Sequence, residues 1–182
     1  KKCFKNCSSL YTLSFLNMIN AKFLSKAFTG CSNLTKIEIT SSSSLYIGDC
    51  CFRGIENLQY LSLTTAELSI GDYCFTSCLS LVEVSLDCLS LKSIGQFTFD
   101  NCKLLKQILI PSSVNNIGKC AFRGCSLLTE IAIPNSVSEI GDKIFDGCTS
   151  LVQISINFSC IPQIGNQFSG CDSLQNIIIN HS

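Results

Sequence analysis

The apolar residues of this chain follow one pattern, Phe-x-x-Cys-x-x-Leu-x-x-h-x-h, where h is an aliphatic residue or Phe. Eight copies begin at Phe4, Phe28, Phe52, Phe75, Phe99, Phe122, Phe145 and Phe168, with successive spacings of 24, 24, 23, 24, 23, 23 and 23 residues. The Leu position is filled without exception, by Leu10, Leu34, Leu58, Leu81, Leu105, Leu128, Leu151 and Leu174. The Cys position holds Cys7, Cys31, Cys78, Cys102, Cys125, Cys148 and Cys171, with Ile55 in the third copy. A fixed period of about 20 to 50 residues is the signature of a solenoid, in which each repeat is one supersecondary unit stacked on the next.

The polar positions between these residues define the elements. The end of each copy, for example Leu128-Thr129-Glu130-Ile131-Ala132-Ile133, alternates and is rich in β-branched residues, which predicts a short strand. Pro111 and Pro134 follow two of these runs and stop them, because proline has no N–H for a ladder. A second short extended piece is expected over 114–117 and 137–140. It ends in an Ile-Gly motif that recurs at Ile47-Gly48, Ile70-Gly71, Ile94-Gly95, Ile117-Gly118, Ile140-Gly141 and Ile164-Gly165. Its glycine is expected to supply the positive φ of a corner, and the segment from there to the Cys is expected to form one or two turns of helix. The five remaining glycines, Gly30, Gly54, Gly124, Gly147 and Gly170, all precede the Cys position, so none is left to build a phosphate-cradling loop.

One coil buries too few apolar side chains to offset the ordering of its own backbone, so stability must come from neighbours stacked in a parallel sheet. The expected fold is therefore an α/β repeat: one solenoid domain over 1–182, of eight coils of 23–24 residues. Short parallel strands dominate it, with one- to two-turn helical segments.

The consensus Phe-x-x-Cys-x-x-Leu-x-x-Ile-x-Ile-Pro, preceded by Val-x-x-Ile-Gly-x-x-Ala-Phe, resembles the BspA-like class of leucine-rich repeats, found in surface proteins of anaerobic bacteria and parasitic protists. Ala27 and Ala121 keep the alanine, whereas Cys51 and Cys74 replace it and the first copy lacks the upstream half. The resemblance implies a curved, right-handed leucine-rich-repeat solenoid from an extracellular or cell-surface protein, with a role in adhesion or in binding a host-surface or extracellular-matrix protein.

Composition changes this picture little. The 13 basic and 13 acidic residues cancel, and the densest basic groups, Lys1-Lys2-Lys5 and Lys103-Lys106, are too small to indicate nucleic acid. No apolar run reaches the about 18–20 residues that cross a membrane, so no membrane insertion is expected within this segment. The chain opens within a coil and shows no capping pattern, so it reads as a piece of a longer protein.

Fourteen cysteines raise other chemistry. For the seven in the Cys column the expectation is a small buried side chain whose S–H reaches a backbone carbonyl. Seven lie off it: Cys3, Cys50, Cys51, Cys74, Cys88, Cys120 and Cys160. Cys51 and Cys74 fill one column in adjacent coils, about 5 Å apart at Cα, which makes them the candidate disulfide. Cys3/Cys7 and Cys74/Cys78 have metal-pair spacing, but both arise from a cysteine standing just before a repeat Phe, and no metal site or cofactor is expected. His181 stands alone, with no partner for a triad, and Glu83 and Glu130 share a column with Gln107 between them, about 10 Å apart and wider than a glycosidase pair. No enzyme activity and no small-molecule substrate are expected. Of the Asn-x-Ser/Thr sites, which begin at Asn6, Asn33, Asn157 and Asn180, Asn33 and Asn157 are the candidate sugar acceptors of an exported eukaryotic protein.

Solenoids place one residue per coil in long surface columns. The first outward column is Thr12, Lys36, Tyr60, Glu83, Gln107, Glu130, Gln153 and Asn176; the second is Ser14, Glu38, Ser62, Ser85, Leu109, Ala132, Ser155 and Ile178. From the third position onward in the first column, and at Lys36, Glu38 and the rest of the second, these residues form the candidate protein-binding face, with Tyr60 as its best anchor. A spacer or stalk that holds another domain away from the surface is the alternative.

Overall fold

The computed structural model describes residues 4–157 and 165–180. The chain winds as a solenoid of stacked parallel strands, β1 (Thr12–Met18), β2 (Ala21–Phe23), β3 (Lys36–Ser41), β4 (Ser44–Ile47), β5 (Tyr60–Ile70), β6 (Glu83–Leu91), β7 (Ser93–Ile94), β8 (Asn116–Ile117), β9 (Glu130–Ala132), β10 (Glu139–Ile140), β11 (Gln153–Asn157) and β12 (Asn176–Asn180). It makes about seven turns, not the eight coils expected, since eight copies enclose seven intervals and the first has no upstream half.

The phenylalanines of the repeat build the spine. Phe4, Phe28, Phe52, Phe75, Phe99, Phe122, Phe145 and Phe168 form one stack, with successive ring centroids 4.9, 4.7, 5.5, 5.5, 5.7, 5.9 and 5.9 Å apart. The six rings from Phe28 to Phe145 are fully buried, and the Leu column from Leu34 to Leu151 is buried beside them. Burial of so much apolar area, shared between coils, supplies the main stabilisation.

The segments around each Phe are successive turns, and no helix occurs among the described residues. Two columns of left-handed residues interrupt any helical run. One lies two residues before the Phe, at Lys26, Cys50, Tyr73, Phe97, Cys120 and Lys143; the other lies two after it, at Asn6, Gly30, Gly54, Ser77, Asn101, Gly124, Gly147 and Gly170. Alternate N–H groups therefore leave the coil. In the fourth copy the N–H groups of Tyr73, Phe75 and Ser77 reach Gln96, Thr98 and Asp100 of the next coil at 2.9, 2.9 and 2.8 Å, while those of Thr76 and Cys78 close turns on Tyr73 and Phe75. A helix would spend all of these donors within its own coil; here half of them tie coil to coil.

The Ile-Gly glycines are not the left-handed ones. Of the eleven, the positive-φ glycines are those before the Cys position, as at Gly54 (φ 73°). Gly118 shows what the other column is for: a Cβ there would lie 2.5 Å from the Gln96 backbone nitrogen of the preceding coil. At Gly48, Gly71, Gly118 and Gly141 the column is glycine because two backbones pass too close for a side chain.

The sheets divide the molecule. In the first four copies β5 and β6 run 11 and 9 residues without a break, and a six-stranded sheet ordered β1-β3-β5-β4-β2, with β6 on β5, spans both strand-bearing sides. Beyond it lie two separate three-stranded sheets, β10-β8-β7 and β12-β11-β9. The cause is the corner between the two sides. Leu86 and Leu91 are separated by four residues that stay extended, whereas Ile110 and Val114 are separated by Pro111, Ser112 and Ser113. There the Val114 N–H closes a turn on the Pro111 carbonyl at 3.0 Å, as Val137 does on Pro134. A strand that runs on and a neighbour that turns back cannot hold one ladder register. The strand expected over 105–110 accordingly does not form, and residues 107–110 make no backbone hydrogen bond to either neighbouring coil.

Candidate functional site

The missing strand opens a groove on the strand face. Its volume is about 690 Å³, and it is lined by Val82, Glu83 and Val84 of the fourth copy, Lys106, Gln107, Ile108 and Leu109 of the fifth, Glu130, Ile131 and Ala132 of the sixth, and Gln153 and Ser155 of the seventh. The register that places these side chains follows the repeat: Lys36 faces Tyr60 and Tyr60 faces Glu83, while Gln153 faces both Glu130 and Asn176. In the second column Glu38 faces Ser62, Ser62 faces Ser85, and Ser155 faces Ala132 and Ile178.

Seven of the expected face residues, Glu83, Gln107, Leu109, Glu130, Ala132, Gln153 and Ser155, thus come together in one concavity. Lys36, Glu38, Tyr60 and Ser62 lie before it, and Ser85, Asn176 and Ile178 are outside its lining. Tyr60 is a weaker anchor than its type suggests. The ring is partly buried, and Lys36 Nζ lies 5.2 Å from its centroid while also pairing with Glu38 at 3.0 Å. Leu109, by contrast, is 82% exposed. Val82 and Lys106 were not among the expected face residues. Both follow the invariant Leu directly, where the alternation gives no direction, and only the opened coil brings them to the groove.

The Cys column is a ladder of buried thiols. Cys31, Cys78, Cys102, Cys125, Cys148 and Cys171 each donate to the Phe carbonyl of the preceding coil, on Phe4, Phe52, Phe75, Phe99, Phe122 and Phe145, at 3.1, 3.4, 3.3, 3.2, 3.2 and 3.1 Å. Burial pushes the thiols of Cys78 and Cys148 up to about 12 and that of Cys171 up to about 11, the opposite of what nucleophilic or metal-binding cysteines need.

Cys51 and Cys74 are both free and buried. Burial raises both, Cys51 to about 12, and the neighbouring Cys51 thiol adds to the rise at Cys74. Their expected bridge does not form. Side chains stacked in parallel coils keep the coil spacing of about 4.8 Å at Cβ, whereas a disulfide draws the Cβ atoms to about 3.8 Å.

Among the described residues no group of three or more His, Cys, Asp or Glu side chains is placed to hold a metal ion; Cys3, Cys160 and His181 lie outside them. No helix among those residues is long and apolar enough to cross a membrane.

Of the two candidate sugar acceptors, Asn33 is partly exposed at a turn. Asn157 is 3% exposed, and its Nδ2 donates to the carbonyls of Pro134, Asn135 and Val137 at 3.4, 3.0 and 2.8 Å. Its amide pins the turn of the preceding coil, so the folded solenoid has no place for a glycan there, and that expectation is corrected.

The opposite, turn-bearing side carries the strongest ion pair. Asp100, 5% exposed, receives Arg123 through two bonds, Nε to Oδ1 at 2.7 Å and Nη2 to Oδ2 at 3.1 Å. The same guanidinium lies 5.2 Å from the Phe97 ring centroid, and Phe97 stacks on Tyr73 at 4.8 Å. This cluster ties the fifth copy to the sixth behind the groove, where the strands do not.

A family model described as the BspA type leucine rich repeat region matches residues 1–104 and 92–182. Among solved structures, a leucine rich repeat protein of T. pallidum superposes with a TM-score of 0.64 at 24% identity, covering 79% of this chain and 70% of its own. A leucine rich cell surface protein from Faecalibacterium prausnitzii gives a TM-score of 0.46 at 19% identity, covering 98% and 75%. A leucine-rich repeat protein from Bacteroides ovatus gives 0.47 at 24%, covering 97% and 62%. No curated protein matches at a significant level.

Proposed function

We propose that this chain, because it belongs to the BspA-type leucine-rich repeat family, works as a non-enzymatic binding module displayed at a cell surface, and that it takes a protein partner on its strand face. The single observation that carries this reading is the groove of about 690 Å³, in which seven of the repeat's outward column residues converge around the exposed Leu109. An apolar centre with polar side chains at its rim is the usual anatomy of a protein contact. The partner class that family membership suggests is a host-surface or extracellular-matrix protein.

The unbroken Phe stack favours a second reading, a rigid spacer between other parts of a longer chain. Binding of the chain to a panel of immobilised matrix and host-surface proteins separates the two. Saturable binding that a folded Glu83→Ala/Leu109→Ala variant loses supports the contact site; binding that survives the substitutions places the contact elsewhere on the chain, and its absence in well-folded monomer favours the spacer.

A further inference from the structure

The groove has a charge pattern as well as a shape, and we propose that its occupant is an extended polypeptide segment that carries basic side chains together with an aliphatic one. This rests on the groove being the contact site.

Glu83 and Glu130 are exposed, and neither makes an ion pair among the described residues. They stand in one column with Gln107 between them, about 10 Å apart by two coil spacings. Lys106 is the single base in a lining with two acids, and Lys36, the nearest other lysine of the strand face, is held by Glu38. On the intervening coil, two residues along from Gln107, Leu109 stands 82% exposed in the same lining.

Two unpaired carboxylates with an exposed aliphatic side chain beside them complement a segment that carries basic side chains and an aliphatic one. Side chains on one side of an extended chain recur about every 6.8 Å, and the flexible stems of Lys or Arg span the remainder. An extended main chain has a further use here. The backbone N–H and C=O groups of residues 107–110 have no partner in the neighbouring coils, and an extended ligand carries free main-chain donors and acceptors where a helix has none to spare. The same two carboxylates oppose an acidic segment or a nucleic acid.

The test is fluorescence anisotropy with labelled peptides of about ten residues in which Lys and Leu share one side of the extended chain and Thr fills the other, as in Lys-Thr-Leu-Thr-Lys. Counterparts carrying Gln or Glu in place of Lys are run beside them. The basic peptide is expected to bind saturably and more weakly as salt rises. The Glu83→Gln/Glu130→Gln variant is expected to weaken it about tenfold. Glu139→Gln, on β10 and away from the groove, serves as the control and is expected to leave binding unchanged.

Equal binding of the Gln or Glu peptides, or no effect of the double variant, overturns the assigned chemistry; if Leu109→Ser still abolishes binding, the groove remains the contact site. If Leu109→Ser is without effect as well, both readings fall together. Failure of every peptide to bind folded protein overturns the peptide proposal alone, and the panel of whole proteins then decides the groove.

Discussion

The first four copies and the last four share one spine and differ in the strands laid over it. Phe rings stack through both, and the turn hydrogen bonds cross from coil to coil throughout. In the first part the corner between the two strand-bearing sides is proline-free, and in the third and fourth copies it stays extended, so β5 and β6 carry a single sheet around it. In the second part Pro111 and Pro134 fold that corner into a turn, and the sheet separates into two. The difference teaches that in this repeat the spine fixes the stacking, while the corner decides whether the strands pair. The groove lies where one corner type hands over to the other.

The most severe way to break the comparison is Phe99→Ala. At the fifth copy the strand bonds of the groove side are absent, so the Phe stack, the turn ladder, the Arg123–Asp100 pair and the two-residue β7–β8 pairing carry the coupling of the two parts. The expected loss is about 3–5 kcal/mol, with urea unfolding broadened into two steps. Phe52→Ala, in a copy whose strands still pair on both sides, is expected to lose a similar amount but to keep one transition. Two identical unfolding curves would deny that the fifth copy is a seam.

Alkali should treat the two parts alike, because the thiol ladder runs through both. Cys51, Cys78 and Cys148 titrate near about 12 in the fold against an ordinary value of 9.0. A raised folded value means that the protonated thiol is favoured by folding. Its contribution is therefore complete below about pH 9 and is lost as pH climbs towards about 12, where the unfolded chain gives up protons first. Circular dichroism is expected to report one cooperative alkaline unfolding in that window, and thiol labelling at neutral pH is expected to be slow until urea opens the fold. Fast labelling of Cys78 and Cys148 in native protein would contradict the ladder.

The two glycine columns sharpen the contrast further. Gly118→Ala drives a Cβ into the Gln96 backbone and is expected to cost about 2–3 kcal/mol. Gly54→Ala meets nothing within 4 Å and has only its φ of 73° to oppose it, so about 1 kcal/mol is expected. Urea midpoints of the two variants check the ranking.

Much of this fold was readable because every copy repeats it. The Phe, Leu and Cys columns, the strand register and the thiol-to-carbonyl bonds follow from one periodic pattern, and the face residues from Glu83 to Ser155 follow from its alternation. The failures share a cause. The helical segments, the conformation of the Ile-Gly glycines, the strand over 105–110 and the exposure of Asn157 depend on what the adjacent coil does at the same level. A left-handed Tyr73 or Phe97, for instance, has no local signal, since neither residue favours that region; the bonds from their N–H groups to Gln96 and Lys119 hold them there. The groove was half legible. Seven of its residues were in the expected columns, but its opening arises from the mismatch between two corners, each of which is unremarkable alone.

The finest test concerns the patch over that mismatch. At the end of β6 the backbone of Leu91 meets a coil that has turned away, and one hydroxyl replaces the lost ladder. Ser113 Oγ accepts from the Leu91 N–H at 2.9 Å and donates to the Leu91 carbonyl at 3.1 Å. Ser136, the equivalent serine one coil later, donates at 2.6 Å to the Val114 carbonyl, between two coils that have the same corner. Removing a hydroxyl that satisfies both groups of a buried residue is expected to cost about 1–2 kcal/mol at Ser113→Ala, against about 0.5–1 kcal/mol at Ser136→Ala, where a single bond is lost. The local reading is amide exchange at Leu91, expected to accelerate in Ser113→Ala and to stay unchanged in Ser136→Ala. If the two variants exchange alike at Leu91, the hydroxyl does not close the seam, and the coils must be held there by the Phe stack, the turn ladder and the adjoining β7–β8 pairing.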